Sequence, residues 1–226
     1  MSGEGAETPG YAATLRVVSA RLTCAELTAA MGIPDTCHEK GTKMSPRSPR
    51  SAVRNAALWL VHTEPSEAPL ERHVRALLTR VDAAAVASLA AGDGVEADVF
   101  CLVRGDATTT LPAALLGEVA EMEAELVLDV YPPGPEDEVD EEGDGKRAEV
   151  TFTTGAGEVL RGGGPGIEER LAALADDPRV GADGQWDVAY ASANGQGSIE
   201  LGVPWLARLA EIGAPLTVRL VRWATP

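Results

Sequence analysis

Lysine, aromatic residues, cysteine and long apolar runs are all scarce in this sequence. No uninterrupted apolar stretch reaches the ~18 residues from which a membrane-spanning helix is built, so no membrane partner is expected. Cations are outnumbered, 19 Lys+Arg against 35 Asp+Glu, giving a net charge of −16. That balance argues against nucleic acid, because phosphate binding needs a basic surface to displace counterions. The same acidity favours a basic protein partner, or serves solubility. Three cysteines, Cys24, Cys37 and Cys101, are odd in number and too few for a disulfide scaffold in 226 residues, which agrees with a reducing compartment. The opening MSGEGAETPG has neither the basic nor the apolar region of a secretory signal. Residues 1–9 are therefore expected to be a flexible tail and the protein cytoplasmic. Lysine is rare against arginine, 3 to 16, which with abundant alanine is the composition of a GC-rich bacterial genome.

What is present is enough apolar material for a core: 45% hydrophobic residues and a mean hydropathy of −0.04. The run from Tyr11 to Ser19 predicts a strand, and Thr23-Cys24-Ala25-Glu26 is a capping box opening a helix that ends near Gly32. Residues 34–55 have no apolar periodicity and read as a long loop before a strand at 56–62. Leu70, Val74, Leu77, Leu78 and Val81 recur at helical spacing, in a helix that could continue through the alanines to Leu89. A strand at 95–103, a helix at 111–122 and a strand at 125–131 follow. Seven carboxylates and three prolines between Pro132 and Gly145 cannot repay the entropy of ordering, so 134–146 is expected to be an acidic linker. Strands at 148–154, 186–191 and 215–223 then alternate with helices at 167–175 and 203–212.

The second pattern repeats the first. Leu111, Leu115, Leu116, Val119, Ala120, Met122, Ala124, Leu126, Leu128 and Val130 each lie 90 residues before an apolar residue of the 201–220 stretch. Convergent amphipathic patterning would give a similar helix without also fixing the turn length and strand register, so internal duplication is the better reading. The expected fold class is α+β: two tandem ferredoxin-like β-α-β-α-β units, at 10–133 and 147–226, with mainly antiparallel sheets and helices on one face. The first unit would be extended by an N-terminal strand, helix and long loop.

The first half resembles the bacterial family of domain of unknown function 4279 (DUF4279). The likeness rests on YAATLRVVS, on the helix ending MGIPDTCHEKGTK, on SPRSPR leading into a strand with a central Trp59, and on LPAALLGEVAEMEAELVLDVYP. It covers about residues 10–133, and the second half looks like a degenerate copy without the basic loop. The resemblance implies a fold and no activity. Small bacterial domains of this sort that sit beside secreted toxins as immunity proteins offer an analogy only.

One local feature opposes the global charge. Between Pro34 and Arg54 lie Lys40, Lys43, Arg47, Arg50 and Arg54, with Asp35 and Glu39 as the only acids. With His38 and Gly41 they form the candidate partner-binding site, since arginine forks suit bidentate contact with carboxylates and other anions. The competing reading is a solvated loop whose arginines pair with the protein's own acidic surface.

Other constellations are weaker. Cys24, Cys37 and His38, with distant His62 or His73, lack the paired spacing of a zinc site. Cys24 stands at the first helical position, where the helix dipole would lower its thiol pKa, but a small buried apolar residue is the simpler reading. Glu138-x-Asp140-x-Glu142-Gly143-Asp144 with Glu149 imitates a calcium loop but opens on Glu and puts Gly145 where an apolar residue belongs. Gly155-Ala-Gly157 and Gly162–Gly166 stand where a phosphate loop would, yet Glu158, Glu168 and Glu169 would repel phosphate. Trp59, Trp186, Trp205 and Trp223 read as core residues and His62 as a strand histidine. No nucleophile motif surrounds any serine or cysteine, so no catalytic residue, metal or cofactor is implied. The expectation is a non-catalytic, immunity-like binding protein; the alternative is a small-molecule-binding or hydrolytic domain using loop 38–54.

Overall fold

The computed structural model describes residues 10–45, 47–48, 50–92, 94–104, 108–131, 147–163, 166–192 and 197–222. The expected tail, the acidic linker with most of its calcium-loop pattern, and Trp223 lie outside them. The first half runs β1 (Gly10–Ser19), α1 (Cys24–Met31), β2 (Thr36–His38), β3 (Ala57–His62), α2 (Leu70–Leu78), α3 (Ala83–Ala90), β4 (Val95–Arg104), β5 (Thr108–Leu111), α4 (Ala113–Glu121) and β6 (Glu125–Tyr131). The second runs β7 (Arg147–Thr153), β8 (Val159–Arg161), α5 (Ile167–Ala175), β9 (Gln185–Ser192), β10 (Gly197–Leu201), α6 (Val203–Ile212) and β11 (Leu216–Arg222).

Local chemistry sets several boundaries. The capping box forms: Thr23 Oγ1 accepts the Glu26 N–H and the Glu26 carboxylate accepts the Thr23 N–H, so α1 starts where the sequence places it. The helix read from Leu70 does not continue through the alanines to Leu89: Asp82 caps a new start by accepting the Ala85 N–H. Strands β2, β5, β8 and β10, invisible in the sequence pattern, have three to five residues each, and all four are edge strands.

The strand orders are β10-β6-β4-β1-β3-β2 and β5-β11-β9-β7-β8. Strand β1 lies antiparallel between β3 and β4, and β4 runs parallel to β6. Likewise β7 lies antiparallel between β8 and β9, and β9 runs parallel to β11. The halves thus share one topology and exchange one strand each. Strand β5 pairs with β11, Leu111 facing Leu216, while β10 pairs with β6, Leu201 facing Leu126. Both pairs obey the 90-residue offset.

The expected tandem ferredoxin-like units with mainly antiparallel sheets are corrected accordingly. Both sheets are mixed, and each is completed by the other half. Both neighbours of β4 are taken, by β1 and β6, so β5 does not form a hairpin with it and pairs with β11, while β10 takes the open edge of β6. The extra elements are also placed differently. Helix α1, β2 and the loop are inserted between β1 and β3, whereas β7 and β8 are joined by a short turn.

One buried apolar cluster spans both halves. Alternate residues Leu15 and Val17 of β1 and Val99 and Cys101 of β4 face it, as the two-residue strand period requires. Phe152 and Trp186 meet edge to face with ring centroids 4.8 Å apart. Trp59 and Trp186 are fully buried, as expected of core residues, and Trp205 packs half-buried against the cluster. Helices α4 and α6 approach closely enough that a Cβ on Gly117 would lie 3.2 Å from the Ala210 Cβ. At the turns that follow them, Glu123 has φ 54° and Gly213, 90 residues on, φ 80°. The same left-handed turn is therefore built once with glycine and once without.

Candidate functional site

The basic stretch is not an irregular loop. It is a hairpin that prolongs the β2/β3 pair, in which Cys37 faces Trp59 and His38 faces Leu58. Gly41 turns the chain with φ 84° and donates its N–H to the Arg54 carbonyl at 2.9 Å. The Arg54 N–H returns to Thr42 O at 2.8 Å, Met44 N–H to Ala52 O at 2.9 Å, and Lys43 bridges to Val53. The Ser45 N–H then donates to Ser51 Oγ at 2.7 Å.

The base of this hairpin is fastened to the α1 start. Cys24 and Cys37 form a disulfide, with Cα atoms 6.0 Å apart. Glu39 Oε1 accepts the Cys24 N–H at 3.1 Å, and Lys40 Nζ donates to the Ala20 carbonyl at 2.9 Å. The disulfide corrects two sequence expectations: the cysteine count is no argument for a reducing compartment, and Cys24 is a half-buried disulfide partner instead of a small buried apolar residue. Cys24 at the α1 start and Cys37 on β2, 13 residues apart in sequence, are brought together only by the fold. Cys101 is buried, and desolvation pushes its thiol far up, so it is inert. Among the described residues no group of His, Cys, Asp and Glu is arranged to hold a metal ion.

Lys40, Gly41, Lys43, Arg47 and Arg50 are exposed; His38 and Arg54 are half-buried. Met44 and Val53, 59% and 58% exposed, add apolar surface to the hairpin. Both acids of the stretch are engaged elsewhere. Asp35 meets Arg80 Nη2 at 2.6 Å and accepts the His62 N–H at 2.8 Å, contacts that hold its carboxyl below the usual range, and Glu39 caps α1. Lys43, Arg47, Arg50 and Arg54 form no ion pair among the described residues, and the buried Arg54 Nε has no hydrogen-bond partner there. Elsewhere Arg16, Arg75, Arg80, Arg161, Arg179, Arg208 and Arg219 each reach a carboxylate of the chain at 2.5 to 3.4 Å. Self-neutralisation, the competing reading of the basic island, therefore holds for those seven arginines and not for the hairpin, while Arg72, Arg104 and Arg170 stand singly without an ion pair among the described residues.

A second cluster has no sequence signal beyond a histidine on a helix. His73 on α2 is buried, with Nδ1 2.8 Å from Thr63 Oγ1 and Nε2 3.0 Å from Ser66 Oγ. Desolvation lowers its pKa, opposed by the Ala68 carbonyl. Ser66 Oγ also accepts the Ala68 N–H, and the Ser66 backbone pairs with Tyr11 on β1. A hydroxyl stands where a triad would place a carboxylate, so no charge waits to stabilise an imidazolium. The cluster is a strut joining β1, α2 and the chain between β3 and α2. The glycine stretches have structural work too: a Cβ on Gly162 would come 2.2 Å from the Arg170 carbonyl, where the chain leaving β8 meets α5. No helix of the described residues is long and apolar enough to cross a membrane.

This is an α+β protein of two topologically equivalent halves, the first carrying an inserted basic hairpin. The family model described as Domain of unknown function (DUF4279) matches residues 9–133, more than half of the chain, and the chain belongs to that family. The match spans β1 to β6, insertion included. No curated protein and no solved structure matches the chain.

Proposed function

We propose that the protein is a non-catalytic binding protein, immunity-like in acting by occupancy, whose contact surface is the hairpin from His38 to Arg54 gripping carboxylates of its partner. The observation that carries this reading is the charge arrangement. The two acids of the stretch are committed to Arg80 and to the α1 start, and Lys43, Arg47, Arg50 and Arg54 have no ion-pair partner among the described residues. A hairpin held on a rigid sheet is a usual place for recognition. The net charge of −16 does not forbid an acidic partner, because remote charges are screened beyond a Debye length of about 8 Å at physiological salt. The Ser66–His73 pair does not favour the hydrolytic alternative, since Ser66 holds the loop backbone and no carboxylate orients the ring.

One exposed arginine–carboxylate contact contributes only about 0.2–1 kcal/mol, so the test must be collective. Lys40, Lys43, Arg47 and Arg50 are changed together to Ser, and binding of a fluorescent poly-glutamate peptide is measured at physiological ionic strength. The reading expects an unchanged circular dichroism spectrum with affinity lowered by about tenfold or more. Equal affinity in the folded variant overturns it and moves the contacts to the acidic faces, toward which a basic partner would be steered.

A further inference from the structure

We propose that the Cys24–Cys37 disulfide is a redox latch on the binding hairpin: reduction by a low-molecular-weight thiol releases β2 and lowers affinity for the acidic partner. The proposal rests on the binding reading above and adds its regulation.

Among the described residues, the backbone hydrogen bonds donated by residues 41–54 all end within 39–54. The hairpin is therefore held to the body through its base. There, β2 is a three-residue edge strand paired on one side only, through Thr36–Leu60, Cys37–Trp59 and His38–Leu58. Before β2, Asp35 is clasped to Arg80 and to the His62 N–H; from Cys37 onward the remaining ties, the disulfide, the Glu39 cap on the Cys24 N–H and the Lys40 bond to Ala20, all converge on the turn between β1 and α1. The two polar ties are exposed and individually weak. The covalent one sits immediately before His38 and keeps the other two in reach. Short edge segments with few buried contacts lie at the low-stability end of a fold, so removing the covalent tie should open this segment before anything else.

Access and chemistry agree. Both cysteines are half-buried, so a thiol can approach a sulfur, whereas Cys101 is fully buried and does not compete in exchange. An external thiolate attacks one sulfur, breaking the S–S bond and forming a mixed disulfide, and the displaced protein sulfur takes up a proton. A second external thiol then displaces the other protein sulfur, leaving two protein thiols and one oxidised reductant. Two electrons and two protons enter the protein. The second half contains no cysteine and no hairpin insertion, so the switch and the surface it controls occur together.

The experiment uses the full chain, air-oxidised and dithiothreitol-reduced, with alkylation counted by mass spectrometry, amide hydrogen exchange, and poly-glutamate binding. The oxidised protein should show one alkylatable thiol after denaturation and the reduced protein three. On reduction, the amides of Gly41, Met44 and Arg54 should exchange about tenfold faster or more while those of Val99 and Cys101 in β4 stay protected, and affinity should fall in parallel. The Cys24→Ser/Cys37→Ser variant should match the reduced protein and ignore dithiothreitol. Three free thiols in the oxidised sample, or unchanged exchange at Gly41 and Arg54 on reduction, overturns the latch. Failure of the oxidised protein to bind poly-glutamate overturns the binding reading instead, and the exchange comparison still decides whether the latch exists.

Discussion

The two halves agree where they build the scaffold and differ where they could touch something else. Equivalent strands pair in equivalent order, and the exchanged strands β5 and β10 meet their partners through leucines 90 residues apart. Even the left-handed turn before the last strand recurs, at Glu123 and at Gly213. Against this background, the connection between the first two paired strands is a short turn from β7 to β8 but spans α1, β2 and a cationic hairpin from β1 to β3. Helix α1 packs Leu27 and Met31 into the common core, whereas among the described residues the hairpin beyond His38 adds no buried apolar residue to it. The second half supplies an internal comparison: it builds the equivalent strand order without the insertion, and what the first half adds has its own disulfide, its own clasp at Asp35 and cations left without a partner among the described residues. Function is therefore best sought in the insertion, and stability in what is shared.

The comparison can be broken most severely through the shared core. Trp186, fully buried against Phe152, lies in the second half, yet the core is continuous. Trp186→Ala should cost about 3–5 kcal/mol and shift one cooperative urea transition. Separate transitions for the two halves would contradict the exchanged architecture. The paired turns give a smaller, signed test. Gly213→Ala should destabilise by about 1–2 kcal/mol, because a side chain is placed in left-handed backbone and its Cβ would lie 3.1 Å from the Ala182 Cβ. Glu123→Gly should stabilise, by about 1 kcal/mol at most, because glycine relieves the same strain at some entropic cost. Changes of the same sign at the two sites would show that the turns are not equivalent.

The smallest effect is a pH asymmetry. His73 has no counterpart on α5, and its burial depresses the imidazole pKa in the folded state. As pH falls below the ordinary histidine value of about 6.5, the unfolded chain takes up the proton first, so the stability due to His73 is full above that pH and is lost toward acid. Melting temperatures from pH 7.5 to 5 should fall less steeply in His73→Gln than in wild type. Parallel profiles would remove His73 from the account.

Much of the scaffold was legible in the residues. The Thr23 capping box, the helix and strand periodicities and the 90-residue repeat all correspond to observed elements, because each is written in local chemistry. The strand exchange was not, since Leu111 meets Leu216 across more than a hundred residues and β5 carries only Thr-Thr-Thr-Leu to announce it. Nor was the disulfide: a cysteine at a helix start and another on a three-residue edge strand look unrelated until the β1 to β3 insertion folds back. The basic island was visible as composition. That its own acids are turned away, Asp35 to Arg80 and Glu39 to the α1 start, needed geometry.

The most direct test of the central claim compares matched positions in the two halves. Met44 and Val53 on the hairpin and Val159 on β8 are similarly exposed, at 59%, 58% and 54%. A photo-crosslinking benzoylphenylalanine placed at each in turn, in the oxidised full chain expressed in its native host, reports what contacts that position. The account predicts one discrete adduct at Met44 and Val53, suppressed by excess unlabelled wild type and by prior reduction, and none at Val159. An adduct at Val159 with none on the hairpin would contradict it.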